Sequence, residues 1–280
     1  HLKPALQIFA LNLIISIYIQ LNTIMLGFIT DNKSVGLYTA AYKLVGIVIS
    51  IVNALGTVMI PKLSNLIATG QSTQFAILSQ KAMQFVIAIS LPMSAGMILT
   101  APYLIHLFCG ETYAPAKYTL QIIAPIIIVI GIAYVIGYQI LYPQGKEKII
   151  IQSTAIGAIA NFLLNLWLIP RYAHNGAAIS TIMTESIVTI SMITFGSKYI
   201  PIQWKNKHYL HYTIGTTLMI IGIWGLEYSS SSSIVNLLLS CCIGIIIYTI
   251  YLISIKDSFY LEIKNIIAQK SKEYYDLHKR

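Results

Sequence analysis

The sequence predicts an all-α polytopic membrane protein with eight transmembrane helices. Its 280 residues are 56% hydrophobic and only 10% charged, whereas soluble globular chains carry about a quarter charged residues. The apolar residues also fall into eight stretches, and each approaches or exceeds the roughly 20 residues that a helix needs to cross a bilayer. A soluble fold could not cover so much apolar surface, so the soluble classes are excluded.

Residues that end or bend helices separate the eight predicted spans. Pro61, Pro143 and Pro170 follow three of the spans, and Pro92 and Pro125 lie inside two others, where they predict kinks. The spans are A, 5–29; B, 34–60; C, 82–108; D, 118–142; E, 149–169; F, 176–197; G, 210–228; and H, 233–255.

Lysine and arginine are distributed unevenly between the loops. Of the eighteen, fourteen fall on one side of the predicted membrane, three on the other, and Lys43 lies within span B. Because cytoplasmic loops carry the basic excess, both ends of this chain are predicted to face the cytoplasm, as an even number of spans requires. Topology thus accounts for the net charge of +9, and no nucleic-acid partner is expected. Residues 256–280 are predicted to form an amphipathic helix on the inner leaflet.

Four spans carry polar side chains at helical spacing. Gln20 belongs to the stripe of A, Asn53 to that of B, Asn161 and Asn165 to that of E, and Glu185 to that of F. Such residues either join helices by hydrogen bonds or face a water-filled cavity. Four stripes in one set of helices favour a hydrated cavity, whereas G and H are plainer and are predicted to be peripheral.

Lys43 and Glu185 are full charges inside predicted spans. Each lies nine residues from the outer end of its span, about 13 Å deep at the helical rise, where an unpaired charge is costly. One interpretation is an ion pair that joins B and F. The other is that Lys43 meets an anionic substrate, while Glu185 tunes it or titrates with a coupling ion. The three cysteines have no ligand spacing, so no metal or cofactor is predicted.

Several sequence blocks occur in the order found in one family. They are Leu21–Gly27, Val35–Leu44, Ile60–Ser64, Gln139–Leu141 with Gly145–Lys148, then Asn161, Asn165, Leu168–Pro170, Asn175–Ala178 and Glu185. Together they resemble the Wzx-type polysaccharide (O-antigen) flippases of the multidrug/oligosaccharidyl-lipid/polysaccharide exporter superfamily. One departure is Asn22-Thr23, where many members carry Asp-Arg.

The resemblance implies a domain organisation. Residues 1–200 would form the second six-helix lobe of a two-lobe exporter fold, 201–255 two additional peripheral helices, and 256–280 a cytoplasmic tail. The first lobe would then be absent from this chain, which we expect to be an N-terminally truncated fragment.

The resemblance also implies a function. Such proteins flip undecaprenyl-pyrophosphate-linked oligosaccharide across the bacterial inner membrane by alternating access, for O-antigen, capsule or exopolysaccharide biosynthesis. A lysine at position 43 suits a pyrophosphate site because its ammonium is a compact charge. Asn161, Asn165 and Gln20 could bind sugar hydroxyls. The implied partners are the lipid-linked glycan, the bilayer, the missing N-terminal lobe and a polysaccharide polymerase.

Other functions remain open at this level. A cation-coupled multidrug exporter of the same superfamily would need an aromatic cavity with a carboxylate, and a lipid II flippase would share the anionic lipid. A membrane enzyme of the same pathway is more distant, because the loops carry acidic residues singly and catalysis needs clusters.

Overall fold

A computed structural model describes residues 20–57, 59–225 and 233–256, and the regular elements in these ranges are all helical. The elements are α1 (Gln20–Ile29), α2 (Asn32–Thr57), α3 (Ile60–Ala68), α4 (Ser72–Cys109), α5 (Ala116–Ile123), α6 (Ile126–Tyr134), a π-helix (Val135–Leu141), α7 (Glu147–Gly196), α8 (Lys207–Trp224) and α9 (Ser233–Ser254).

Five helices among the described residues are long and apolar enough to cross a membrane, by length and composition. Four of these helices correspond to one predicted span each, B, C, D and H. The remaining one, α7, covers spans E and F together. Helix α8 coincides with most of span G but begins with polar residues and does not meet the same criterion. The described part of span A is α1, and the tail at 257–280 lies outside the described residues.

Helix α7 is two antiparallel arms joined at a sharp reversal. Ala173 sits at the reversal with φ 46° and ψ −126°, outside the helical region. Beyond it, Gly176 lies against the backbone carbonyl of Leu168, and a Cβ at this glycine would collide with that carbonyl. Further along, Gly157 of the first arm packs on Val188 of the second. The loop predicted between spans E and F is therefore a tight hairpin.

Two predicted boundaries differ from the structure, and one predicted interruption is present. Helix α4 begins at Ser72, ten residues before predicted span C, and continues through Pro92 without a break. The loop predicted after span B contains α3, a short amphipathic helix. Span D is interrupted at Pro125, as predicted, and then passes from α6 into the π-helix.

Helices α2, α4, α5, α6 and α7 share one apolar core with the π-helix. Helices α8 and α9 pack on each other and on α4. A smaller apolar cluster joins this pair to the bundle, and there the Tyr248 hydroxyl donates to the Ala88 carbonyl at 2.7 Å. Helices α8 and α9 thus join the bundle through α4. The peripheral place predicted for the last two helices and the domain boundaries stay predictions.

Candidate functional site

Helix α2 carries an exposed polar stripe made of Lys43, Ser50 and Thr57. All three side chains are exposed, and they follow one another at intervals of seven residues. Two helical turns take 7.2 residues, so these positions lie within about 40° of one another around the helix. The hydroxyls of Ser50 and Thr57 donate to their own backbone, at 2.8 and 2.7 Å. The ammonium of Lys43 is therefore the one charge on this stripe.

An apolar groove of about 490 Å³ runs along one side of the polar stripe. Leu44, Ile47 and Val48 line it from α2, and α4, α8 and α9 supply the opposite walls. Its lining is almost entirely aliphatic and aromatic, with Ser240 and two threonines among the few polar residues. A groove of this composition can hold a hydrocarbon chain beside the charge of Lys43.

A second cavity of about 240 Å³ lies on the other side of α2. We call it the tyrosine cavity. Its polar lining residues are Tyr42, Asn53, Tyr134, Tyr138, Thr154 and Glu185, from α2, α6, the π-helix and both arms of α7. The rings of Tyr134 and Tyr138 are 5.2 Å apart between centroids and tilted by 33°. The cavity combines aromatic faces with a carboxylate and an amide, a mixture suited to a polar organic ligand.

A buried amide network lies next to the tyrosine cavity and joins α1, α2 and both arms of α7. It comprises Asn22, Tyr38, Asn161, Asn165 and Thr181. Asn161 and Asn165 donate to the Asn22 side-chain carbonyl at 3.0 and 2.6 Å. Asn22 donates to the hydroxyls of Tyr38 and Thr181 at 3.2 and 3.1 Å. Buried polar groups bonded to one another in this way fix the rotation of each helix. The side-chain oxygen of Asn165 is buried without a partner among the described residues.

The amide network also positions two walls of the tyrosine cavity. The Tyr38 ring stacks on the Tyr42 ring with 5.8 Å between centroids, and the Tyr38 hydroxyl is 2.9 Å from the Thr181 hydroxyl. Thr181 lies one helical turn before Glu185 on the second arm of α7. A change in the network would therefore shift both Tyr42 and Glu185.

The predicted site residues occupy three different environments. Lys43 and Gln20 are exposed, and Asn53 and Glu185 line the tyrosine cavity. Asn161 and Asn165 are 0% exposed and belong to the amide network, so in this conformation they join helices instead of lining a cavity. Their predicted contact with a substrate stays a prediction.

The ion-pair interpretation of Lys43 and Glu185 is wrong for this structure. Between two described residues, the one salt bridge joins His106 and Glu111 at 2.9 Å. Lys43 points to the exposed face of α2, whereas Glu185 lies in the cavity on the adjacent face. The two charges are separated because neighbouring residues on a helix point about 100° apart, and Tyr42, not Lys43, faces the cavity.

Sequence reasoning missed the three tyrosines and Asn22. The signal for Tyr134 and Tyr138 was their four-residue spacing in a span with few other polar groups. Gln139 was also missed: it is fully buried, and neither of its amide atoms has a hydrogen-bond partner among the described residues. It packs against Gly56 of α2.

The end of the bundle that carries Asp31 and the α7 hairpin has short polar contacts. The Ser34 backbone N–H donates to the Asp31 carboxylate at 2.7 Å and caps α2. This hydrogen bond holds the pKa of Asp31 below its usual range. At the α7 hairpin, the Thr119 hydroxyl lies 2.7 Å from His174 Nδ1 and 2.8 Å from the Asn175 side-chain oxygen. Within the described ranges, no group of three His, Cys, Asp or Glu residues could hold a metal ion.

Comparisons with solved structures and with curated proteins identify the fold and several relatives of this chain. The chain superposes on a chain described as lipid II flippase MurJ in an inward closed conformation, with a TM-score of 0.78 and 18% identity, over 89% of this chain and 53% of that one. The fold is therefore that of a MurJ-like flippase.

Sequence comparisons agree. Residues 2–118 match a family described as "Polysaccharide biosynthesis protein". The chain is 29% identical to the "Putative O-antigen transporter" of Shigella dysenteriae over 69% of this chain and 48% of that protein. It is 19% identical to the "Probable low-salt glycan biosynthesis flippase Agl15" of Haloferax volcanii over 83% and 49%.

These matches confirm the resemblance to Wzx-type flippases and the assignment to multi-pass membrane proteins. The chain spans about half the length of the curated relatives it matches.

Proposed function

We propose that the protein moves an undecaprenyl-pyrophosphate-linked oligosaccharide across the bacterial cytoplasmic membrane for cell-surface polysaccharide biosynthesis. The observation that carries this proposal is the layout of α2. A single lysine on an exposed polar stripe lies directly beside an apolar groove. An amphipathic lipid with an anionic headgroup needs both surfaces next to each other.

The chemistry of Lys43 fits a diphosphate. A compact ammonium can pair with a phosphate oxygen from several directions, so it can follow a headgroup that moves. An exposed charge within a membrane span needs water or an anionic partner, since hydrocarbon solvates it poorly. The prenyl chain would lie in the apolar groove, where Leu44 follows Lys43 in sequence.

Transport needs a second surface that faces the polar stripe. We propose that a second lobe supplies it and that the two lobes rock about the stripe in alternating access. In this arrangement both ends of the present chain face the cytoplasm, and a polysaccharide polymerase would receive the flipped glycan.

The test compares Lys43→Ala, Lys43→Arg and the control Lys33→Ala in the full-length protein. Lys33 is exposed in the first turn of the same helix, outside the stripe. We expect Lys43→Ala to abolish glycan export at normal abundance. Lys43→Arg should retain part of it, because the charge remains while its geometry changes. Lys33→Ala should export normally. Full export by an abundant Lys43→Ala protein would exclude the proposed role.

Two neighbouring functions have specific support. The tyrosine cavity with its carboxylate has the composition of a site for an organic cation, which favours a multidrug exporter. The MurJ-like fold favours a lipid II flippase. Ethidium efflux in cells and rescue of a strain depleted of its lipid II flippase would separate these functions from glycan export. The relatives named above are transporters and flippases, which supports the prediction that the chain is not an enzyme.

A further inference from the structure

We infer that the tyrosine cavity is a sugar-binding pocket that receives the first sugar of the lipid-linked glycan and selects for it. This inference rests on the proposed function, because it names the part of the same substrate that the cavity would hold. The pocket lies inside the helical bundle, on the opposite side of the polar stripe from the apolar groove.

The size of the cavity matches a sugar ring better than a metal ion. Its volume is about 240 Å³. One water position needs about 10–15 Å³, so the cavity offers room for more than about ten waters. A dehydrated metal ion would leave most of this space empty, whereas a monosaccharide with its hydroxyls would fill a large part of it.

The lining offers the two kinds of contact that sugars use. The faces of Tyr42, Tyr134 and Tyr138 are flat apolar surfaces on which the C–H face of a sugar can pack. Asn53 lies in the lining, and its side-chain oxygen is buried without a partner among the described residues. A buried acceptor left unpaired is costly, and a sugar hydroxyl could donate to it once the amide turns toward the cavity.

The cavity begins beside the proposed diphosphate site. Tyr42 precedes Lys43 in sequence and points about 100° away around α2, into the cavity. A sugar bonded to a phosphate at Lys43 would therefore meet the Tyr42 end first. From there the cavity follows α2 for about three turns, roughly 16 Å, to Asn53. The extended Lys43 side chain, the diphosphate and the sugar together would span this distance.

The Tyr42 ring, which the sugar would meet first, is held rigidly. Tyr42 stacks on Tyr38, and Tyr38 is bonded to Thr181 and Asn22 within the amide network. A wall that is already ordered loses little conformational freedom on binding, and this favours affinity and discrimination between sugars.

An organic cation is the competing ligand, since the carboxylate of Glu185 and the tyrosine faces would also attract it. The unpaired oxygen of Asn53 favours the sugar. A hydroxyl can donate a hydrogen bond to it, whereas a fully alkylated ammonium cannot.

The experiment measures binding of four lipid probes to the full-length protein in lipid nanodiscs by native mass spectrometry. The probes are undecaprenol, undecaprenyl diphosphate, undecaprenyl-diphosphate-linked N-acetylglucosamine and undecaprenyl-diphosphate-linked galactose. The variants are Asn53→Leu and Tyr138→Leu. The control is Tyr142→Leu, because Tyr142 is an exposed tyrosine one turn from Tyr138 that does not line the cavity.

We expect the wild-type protein to prefer one sugar-bearing lipid over undecaprenyl diphosphate. Asn53→Leu should lower that preference about tenfold, the scale of one lost hydrogen bond in a buried site, and leave binding of the bare diphosphate unchanged. Tyr138→Leu should lower the preference through lost packing, which keeps the test valid if one variant folds poorly. Tyr142→Leu should behave as wild type.

The possible failures are distinguishable. If undecaprenyl diphosphate binds no better than undecaprenol, the proposed function itself fails. If the diphosphate lipids bind but Asn53→Leu and Tyr138→Leu leave their ratios unchanged, the sugar pocket is overturned while the function stands. The cavity is a cation site if three results are obtained together. Tetraphenylphosphonium binds the wild-type protein, Glu185→Gln does not bind it, and the cation leaves the preference for the sugar-bearing lipid unchanged.

Discussion

Replacing Asn22 with leucine tests whether the amide network holds the bundle together. Asn22 is 4% exposed, and its side chain makes four hydrogen bonds to residues of α2 and both arms of α7. Leucine has nearly the same size, so the change removes the hydrogen bonds while leaving little empty space.

The expected magnitude follows from these four bonds. Side-chain hydrogen bonds between membrane helices average about 0.6 kcal/mol each, which gives a loss of roughly 2–3 kcal/mol in the free energy of unfolding. The loss should not be larger, because several partners keep another bond. Asn161 still donates to Thr184, and Tyr38 and Thr181 remain bonded to each other.

The assay is reversible unfolding of the purified protein in mixed micelles, followed by circular dichroism. Gln20→Leu is the matched control, since Gln20 is an exposed amide on the same helix, and its replacement should change stability by less than about 0.5 kcal/mol. A cycle with Asn165→Leu should give a coupling energy above about 0.5 kcal/mol. Equal effects of Asn22→Leu and Gln20→Leu, with no coupling to Asn165, would refute the proposed role of the network.

Three further predictions concern the hairpin, the cap of α2 and the topology. Gly176→Ala should prevent accumulation of folded protein in the membrane, because the Leu168 backbone cannot move away from the new methyl group. The control Gly225→Ala should accumulate normally, since a methyl group there makes only ordinary contacts. Equal levels of the two variants on immunoblots would contradict this prediction. Folding lowers the pKa of Asp31, so the cap stabilises the protein at pH values above 3.8, the ordinary pKa of the side chain. This stabilisation is lost as the pH falls through the lower folded pKa. Asp31→Ala should therefore lower the melting temperature at pH 7. It should also reduce the decrease in melting temperature between pH 5 and pH 3. The same decrease in the variant and in the wild-type protein would contradict a stabilising role of the cap. In a cysteine-free background, a cysteine at Thr112 should react with an impermeant thiol reagent in intact cells, and one at Ser64 only after the membrane is opened; the reverse pattern would invert the topology.

Much of the architecture could be read from local sequence patterns. Apolar length identified spans B, C, D and H, because the bilayer imposes a length on every helix that crosses it. Pro125 marked the interruption of span D, since proline removes a backbone donor. The helical spacing of Asn161 and Asn165 correctly placed both on one face of their helix, because that periodicity belongs to a single helix.

What each polar face meets was decided by tertiary structure alone. Asn161 and Asn165 pair with Asn22, about 140 residues earlier in the chain, and nothing in the spacing of either helix specifies that partner. An ion pair between Lys43 and Glu185 was one of two interpretations that the sequence left open, but the rotation of α2 turns Tyr42 into the cavity and leaves Lys43 exposed.

The candidate site shows the same division. The sequence by itself determined that this is a helical membrane protein and that one charge lies among polar residues within span B. It placed Asn53 with Lys43, whereas the structure places Asn53 in the tyrosine cavity. The groove and the tyrosine cavity exist only where four or more helices meet, and their walls come from residues as distant as Tyr42 and Met192. The rotation and packing of those helices depend on the sum of many weak contacts, so no single segment encodes them.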